Sequence, residues 1–238
     1  MSWLDKKCKS LKTIEDRKIC YTFGSDLQHI IADLDEKGYI RSELKTKQGE
    51  EKRKKIMDVL TNVSKITNAF NNFFDMYVDR IKPDSKNRLK NFLELNKPYG
   101  MTEEDLIYLL CSEMIFVFLQ NIEEFRSVLL FIMKLDKDER INKKTTLGKL
   151  IRTLTDLGIN KSEALNEVDY ELRNGLSHGL FWLEKKGISP NRKLYLNYAT
   201  DITFDSIKPI SLKELETTAR HQAIYTQCLV WLVTDWFS

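Results

Sequence analysis

Clustered cysteines are missing from this chain. Its four cysteines, Cys8, Cys20, Cys111 and Cys228, lie far apart, and no two have CxxC spacing. Each falls in a helix-like pattern, so the expectation is buried or half-buried free thiols in a cytosolic, cytoplasmic protein rather than a zinc site or a disulfide framework. Histidine is just as sparse. His29, His178 and His221 are too few for a His-rich metal centre. Proline (4) and glycine (9) are rare in 238 residues, which argues against a disordered or fibrous chain. Long apolar runs are missing too. The stretches 114–119 and 128–133 fall far short of the ~20 residues a membrane helix needs, so no membrane association is expected. The opening MSWLDKKCKSLK has no apolar h-region of a signal peptide. Neither sign of charge dominates, with 38 Lys and Arg against 35 Asp and Glu. A net charge of +3 argues for no polyanionic partner by itself, and contact with RNA would need a local basic patch. No P-loop, dinucleotide fingerprint or metal-protease motif occurs.

What remains is an apolar fraction of 42% beside 31% charged residues. That composition suits a folded, helix-rich protein with a sizeable core. Apolar spacing predicts a helix over 3–37, broken near Phe23-Gly24-Ser25-Asp26, and a long helix over 42–82. The latter opens on the charged run Glu50 to Lys55, which mixes signs as a solvated helix face does, and stops at Lys82-Pro83-Asp84-Ser85. A short helix over 86–95 precedes the break Asn96-Lys97-Pro98-Tyr99-Gly100, which marks off an N-terminal helical extension, 1–97, from a second helical domain, 98–238.

In that second domain Thr102 is the expected N-cap of a helix running to about Leu135, apolar nearly all round and so central or covered by a second subunit. Helices over about 145–157 and 161–178 follow, the latter stopped by Gly179. Leu180 to Leu183 and Leu194 to Tyr198 read as a β-hairpin about Gly187 to Asn191. Ser211-Leu212-Lys213-Glu214 is a capping box that opens a last helix, to about Phe237. The expected fold is all-α: four helices, a small β-hairpin before the last, and an N-terminal helical extension.

Chemistry concentrates at 165–179. Leu165, Val168, Leu172 and Leu176 form one apolar stripe, and Arg173, Asn174, Ser177 and His178 lie off it. Asn174 and His178, four apart, share a face. Arg173 lies roughly 140° round from His178 but has the reach to join it. Asp169, four before Arg173, is placed to orient the guanidinium. An imidazole serves as general acid or base, and an arginine beside it binds phosphate and stabilises charge growing there. Those parts suffice to drive a ribose 2′-OH onto the adjacent phosphorus without a metal. Read without further context, the same residues at a helix end are more often capping groups in solvent.

The stretch ELRNGLSHG resembles the signature of the HEPN superfamily: an Arg, a polar residue such as Asn, and a His a few residues later at a helix end. The preceding TLGKLIRTL helix, the following extended segment and the closing helix fit as well. The resemblance covers about 102–238, and residues 1–97 match no family pattern. It implies an up-and-down four-helix bundle with Arg173 and His178 catalytic and Asn174 supporting them; Asp169 and Ser177, from the same stretch, are further supporting candidates. It implies a metal-independent endoribonuclease leaving cyclic phosphate ends, of the kind used as toxins or in antiviral defence. It further implies a homodimer with a composite site, an antitoxin or regulatory protein as possible partner, and no cofactor. Some toxin members carry a modifiable Tyr two residues after the His; Leu180 stands there instead. The alternative function is a non-catalytic module that binds a partner protein or a nucleotide.

Other signals are weaker. Gly175-Leu176-Ser177-His178-Gly179 matches G-x-S-x-G, but a nucleophile elbow needs a strand before it and a helix after it, and here the predicted order is reversed. Lys185, Lys186, Arg192 and Lys193 crowd the predicted hairpin and are candidate RNA-backbone contacts, or simply solvated. His29 and His221 read as structural.

Overall fold

The computed structural model describes residues 3–11, 13–47, 49–55, 58, 100, 102–184 and 195–236. Helix α1 (Trp3–Cys8) is followed by a turn, and Thr13 then caps α2 (Ile14–Glu36) by accepting a hydrogen bond from the Asp16 N–H at 3.0 Å. The break in the N-terminal helix therefore lies before Thr13, not at residues 23–26. Gly24 does not break α2. It marks where α1 crosses closely, since a Cβ there would sit 2.7 Å from a Leu4 methyl. Ser42–Lys45 forms a 3₁₀ turn, and most of the long helix expected over 42–82, with the helix over 86–95, falls outside the described residues.

Helix α3 (Glu103–Ile132) begins at the expected cap. The Thr102 hydroxyl accepts from the Asp105 N–H at 3.1 Å, and the Asp105 carboxylate accepts from the Thr102 N–H at 2.7 Å. Helix α4 (Leu147–Asp156) is capped by Thr146. The helix expected over 161–178 is divided. A 3₁₀ turn (Ala164–Glu167) is followed by extended Val168, and Asp169 then caps α5 (Tyr170–Ser177). Three strands follow: β1 (Phe181–Leu183), β2 (Tyr195–Ala199) and β3 (Ile207–Ser211). They form an antiparallel sheet in the order β1-β2-β3, one strand more than the expected hairpin. Pro209 and the exposure of residues 207–209 hid β3; on an edge strand a missing N–H is tolerated. Helix α6 (Leu212–Trp236) closes the chain, opened by the Ser211–Glu214 capping box.

The core forms where α2, α3 and α6 meet. Phe118 and Phe125 of α3 are fully buried, each contributing roughly 1.5–3 kcal/mol of transfer free energy. Phe23 of α2 stacks on Tyr225 of α6 with ring centroids 4.1 Å apart. The boundary expected at 97/98 falls on residues outside those described, yet α2, on its N-terminal side, packs directly against α6. Glu15 pairs with Arg220, and Cys20 meets Cys228, across that contact. Among the described residues, no helix is long and apolar enough to cross a membrane.

The expectation of four free thiols is corrected. Cys8 and Cys20 are paired as a disulfide, while Cys111 and Cys228 are free and buried. Helix α1 folds back on α2, which brings the two Cα atoms to 5.8 Å, well inside disulfide range.

Candidate active site

Helix α5 is short, and both of its ends are fixed. At its start the Asp169 carboxylate accepts from the Leu172 N–H at 2.9 Å. At its end His178 is the C-cap and Gly179 takes φ +68. The Leu180 N–H reaches the Gly175 carbonyl at 3.0 Å and the Gly179 N–H reaches that of Leu176 at 3.3 Å. This is a Schellman closure, the stop expected of Gly179. The helix lies against β2 through Gly175, where a Cβ would meet the Ala199 carbonyl oxygen and the Tyr198 ring, each at 2.8 Å.

Arg173 points from α5 to α3. Its Nε donates to Glu123 Oε1 at 2.7 Å, its Nη2 donates to the same oxygen, and its Nη1 donates to Asn174 Oδ1 at 3.2 Å. Arg126, one turn along α3, donates through Nε to Glu123 Oε2 at 3.1 Å and through Nη1 to the Thr145 carbonyl at 3.1 Å. Glu123 is thus a carboxylate shared by two guanidinium groups. Burial pushes its carboxyl upward, but the hydrogen bonds and charges of Arg173 and Arg126 outweigh that and hold it below its ordinary value.

The structure brings some of the expected site residues together and separates others. Arg173 and Asn174 are hydrogen-bonded. The His178 side chain is exposed at the helix end and makes no hydrogen bond among the described residues. Ser177 donates its hydroxyl to the Asn174 carbonyl at 3.2 Å, a local helix-end bond. Asp169 caps α5 instead of orienting the guanidinium, and burial raises its pKa. Glu123 takes the orienting role. The sequence offered one hint of it: Glu123, Glu124 and Arg126 are the only charged residues of α3 between Glu113 and its end, and they interrupt its apolar stretch. Lys185, Lys186, Arg192 and Lys193 lie outside the described residues.

His221 belongs elsewhere. With Tyr225 it lines a cleft of about 1430 Å³ between α2, α4 and α6, which Arg173, Asn174 and His178 do not line. His29 is exposed on α2. The helix before residues 175–179 and the strand after them are the reverse of a nucleophile elbow. No grouping of three His, Cys, Asp or Glu side chains suited to a metal ion occurs among the described residues. Comparisons with protein-family models, curated proteins and solved structures give no match.

Proposed function

We propose that the chain is a metal-independent endoribonuclease of the HEPN type, acting on single-stranded or looped RNA as a homodimer with a composite site. The observation that supports this most is the fixed Arg173. Glu123 and Asn174 orient its guanidinium beside α5, five residues before an exposed imidazole. A guanidinium held in place suits a phosphate whose charge grows in the transition state, because it needs no reorganisation at that moment. His178 takes the proton of the ribose 2′-OH as that oxygen attacks the adjacent phosphorus. The 5′ oxygen departs and gains a proton, leaving a 2′,3′-cyclic phosphate and a 5′-hydroxyl. Asn174 positions Arg173. One imidazole serves one transfer at a time, and the copy in a second subunit supplies the other. The up-and-down bundle, the toxin or defence setting and a regulatory partner belong to the same proposal.

One observation favours the non-catalytic alternative. The guanidinium of Arg173 already donates to Glu123, and a guanidinium with part of its charge and donors so engaged attracts phosphate less. Analysis of product ends distinguishes the two. A cleaved oligonucleotide carrying 2′,3′-cyclic phosphate, made by a protein that elutes as a dimer, supports the enzyme. A monomer counts against the composite site, and intact RNA supports the binding module.

A further inference from the structure

We infer that Cys228 is a latent disulfide partner of Cys20, so that the chain holds two alternative disulfides, Cys8–Cys20 and Cys20–Cys228, which interconvert by thiol–disulfide exchange.

Three sulfur atoms from three helices meet in the core. Cys8 of α1 and Cys20 of α2 form the disulfide, and the free Cys228 of α6 places its Sγ 3.5 Å from that of Cys20. All three side chains are buried, Cys20 and Cys228 completely. The Cys228 thiol also lies 3.7 Å from the Cys20 carbonyl oxygen. Near contact with Cys20 selects which disulfide sulfur is attacked. Cys228 loses its proton and its sulfur attacks Cys20 Sγ. The Cys20–Cys228 bond forms as the Cys8–Cys20 bond breaks. The electron pair leaves on Cys8, which takes up a proton. One disulfide and one thiol remain, so the step needs no outside oxidant.

The two bridges join different parts of the fold. Cys8–Cys20 staples α1 to α2 across 12 residues of sequence. Cys20–Cys228 ties α2 to α6 across 208 and releases α1. Burial pushes the Cys228 thiol up to about 12, so thiolate is scarce near neutrality and exchange is slow enough for each isomer to be trapped by acid quench and alkylation.

The test is non-reducing peptide mapping by mass spectrometry on the full chain. Cys8→Ser, oxidised with glutathione disulfide, is expected to lose both free thiols at Cys20 and Cys228 and to yield the Cys20–Cys228 linked peptide. Cys228→Ser is expected to keep Cys8–Cys20. A Cys8→Ser protein with native circular dichroism that keeps both thiols, or carries glutathione on Cys20 without the cross-link, overturns the proposal. A second measurement needs no variant. Wild-type protein trapped at intervals after dilution from acid is expected to show alkylated Cys8 rising as alkylated Cys228 falls. Alkylation confined to Cys111 and Cys228 at every time overturns the exchange.

Discussion

Replacing Gly175 by alanine sets two effects of opposite sign against each other. Within a helix, alanine is favoured over glycine by about 1 kcal/mol. On a helix facing solvent, that alone would stabilise the protein. Here the new Cβ would lie 2.8 Å from the Ala199 carbonyl oxygen, 2.8 Å from Tyr198 Cδ2 and 3.3 Å from Tyr198 Cβ. The carbonyl is backbone at the end of β2, and Tyr198 is only 7% exposed. Neither retreats by a rotamer change, so α5 must move off the sheet. Overpacking of that kind costs about 1–3 kcal/mol, toward the upper end where backbone is struck. The net expectation is a loss of about 1–2 kcal/mol after subtracting the propensity gain. Urea unfolding followed by circular dichroism reads this as a midpoint lowered by about 0.5 M at unchanged slope. Under the proposed function RNA cleavage should fall as well, since Asn174 and His178 lie on the displaced helix. A midpoint at or above that of the wild type would refute the packing argument.

Glu123→Ala frees Arg173 and Arg126 from their shared partner. Because the Glu123 side chain is 37% exposed, water screens the pair and the loss in urea melts is about 1 kcal/mol; under the proposed function turnover should fall further, because Arg173 loses its orientation. The folded pKa of Glu123 is lowered, so its contribution is present at neutral pH and is lost as pH falls through that lowered value; the gap between wild type and Glu123→Gln should close on acidification. Glu113 behaves oppositely. Burial lifts its carboxyl from 4.5 to about 7, and neither of its oxygens has a hydrogen-bond partner among the described residues. Its contribution is full below pH 4.5 and is lost as pH rises to about 7, so Glu113→Gln should gain on the wild type above pH 7 in thermal melts and show no gain at pH 4. Gly179→Ala meets no atom within 4 Å but must hold φ +68, a strain of about 1 kcal/mol visible as a lower melting temperature.

Local signals in the sequence translated directly into structure. Thr102 with Asp105, Ser211 with Glu214, and Gly179 after His178 each act within one helical turn, and each does what its residue types favour. Signals whose meaning depends on distant neighbours misled. Gly24 reads as a breaker until Leu4 is seen against it, and β3 is hidden because an edge strand with Pro209 carries no alternation. Asp169 looks like the arginine's partner by spacing, but a carboxylate before a helix start can bond free N–H groups at once. The side chain that does hold Arg173 lies 50 residues upstream. The Cys8–Cys20 pairing was hidden for a related reason: the turn that brings them together is visible only once α1 folds back. Arg173, Asn174 and His178 could be singled out because they share one short helix end; Glu123 could not, because only packing of α3 on α5 makes it a neighbour.

The most direct test of the proposed chemistry incubates purified protein with mixed single-stranded RNA in excess EDTA, beside Arg173→Ala and His178→Ala. Cleavage by the wild type that chelation leaves intact and either substitution abolishes is the predicted result. Equal cleavage by all three proteins, or intact RNA with the folded wild type, would contradict it.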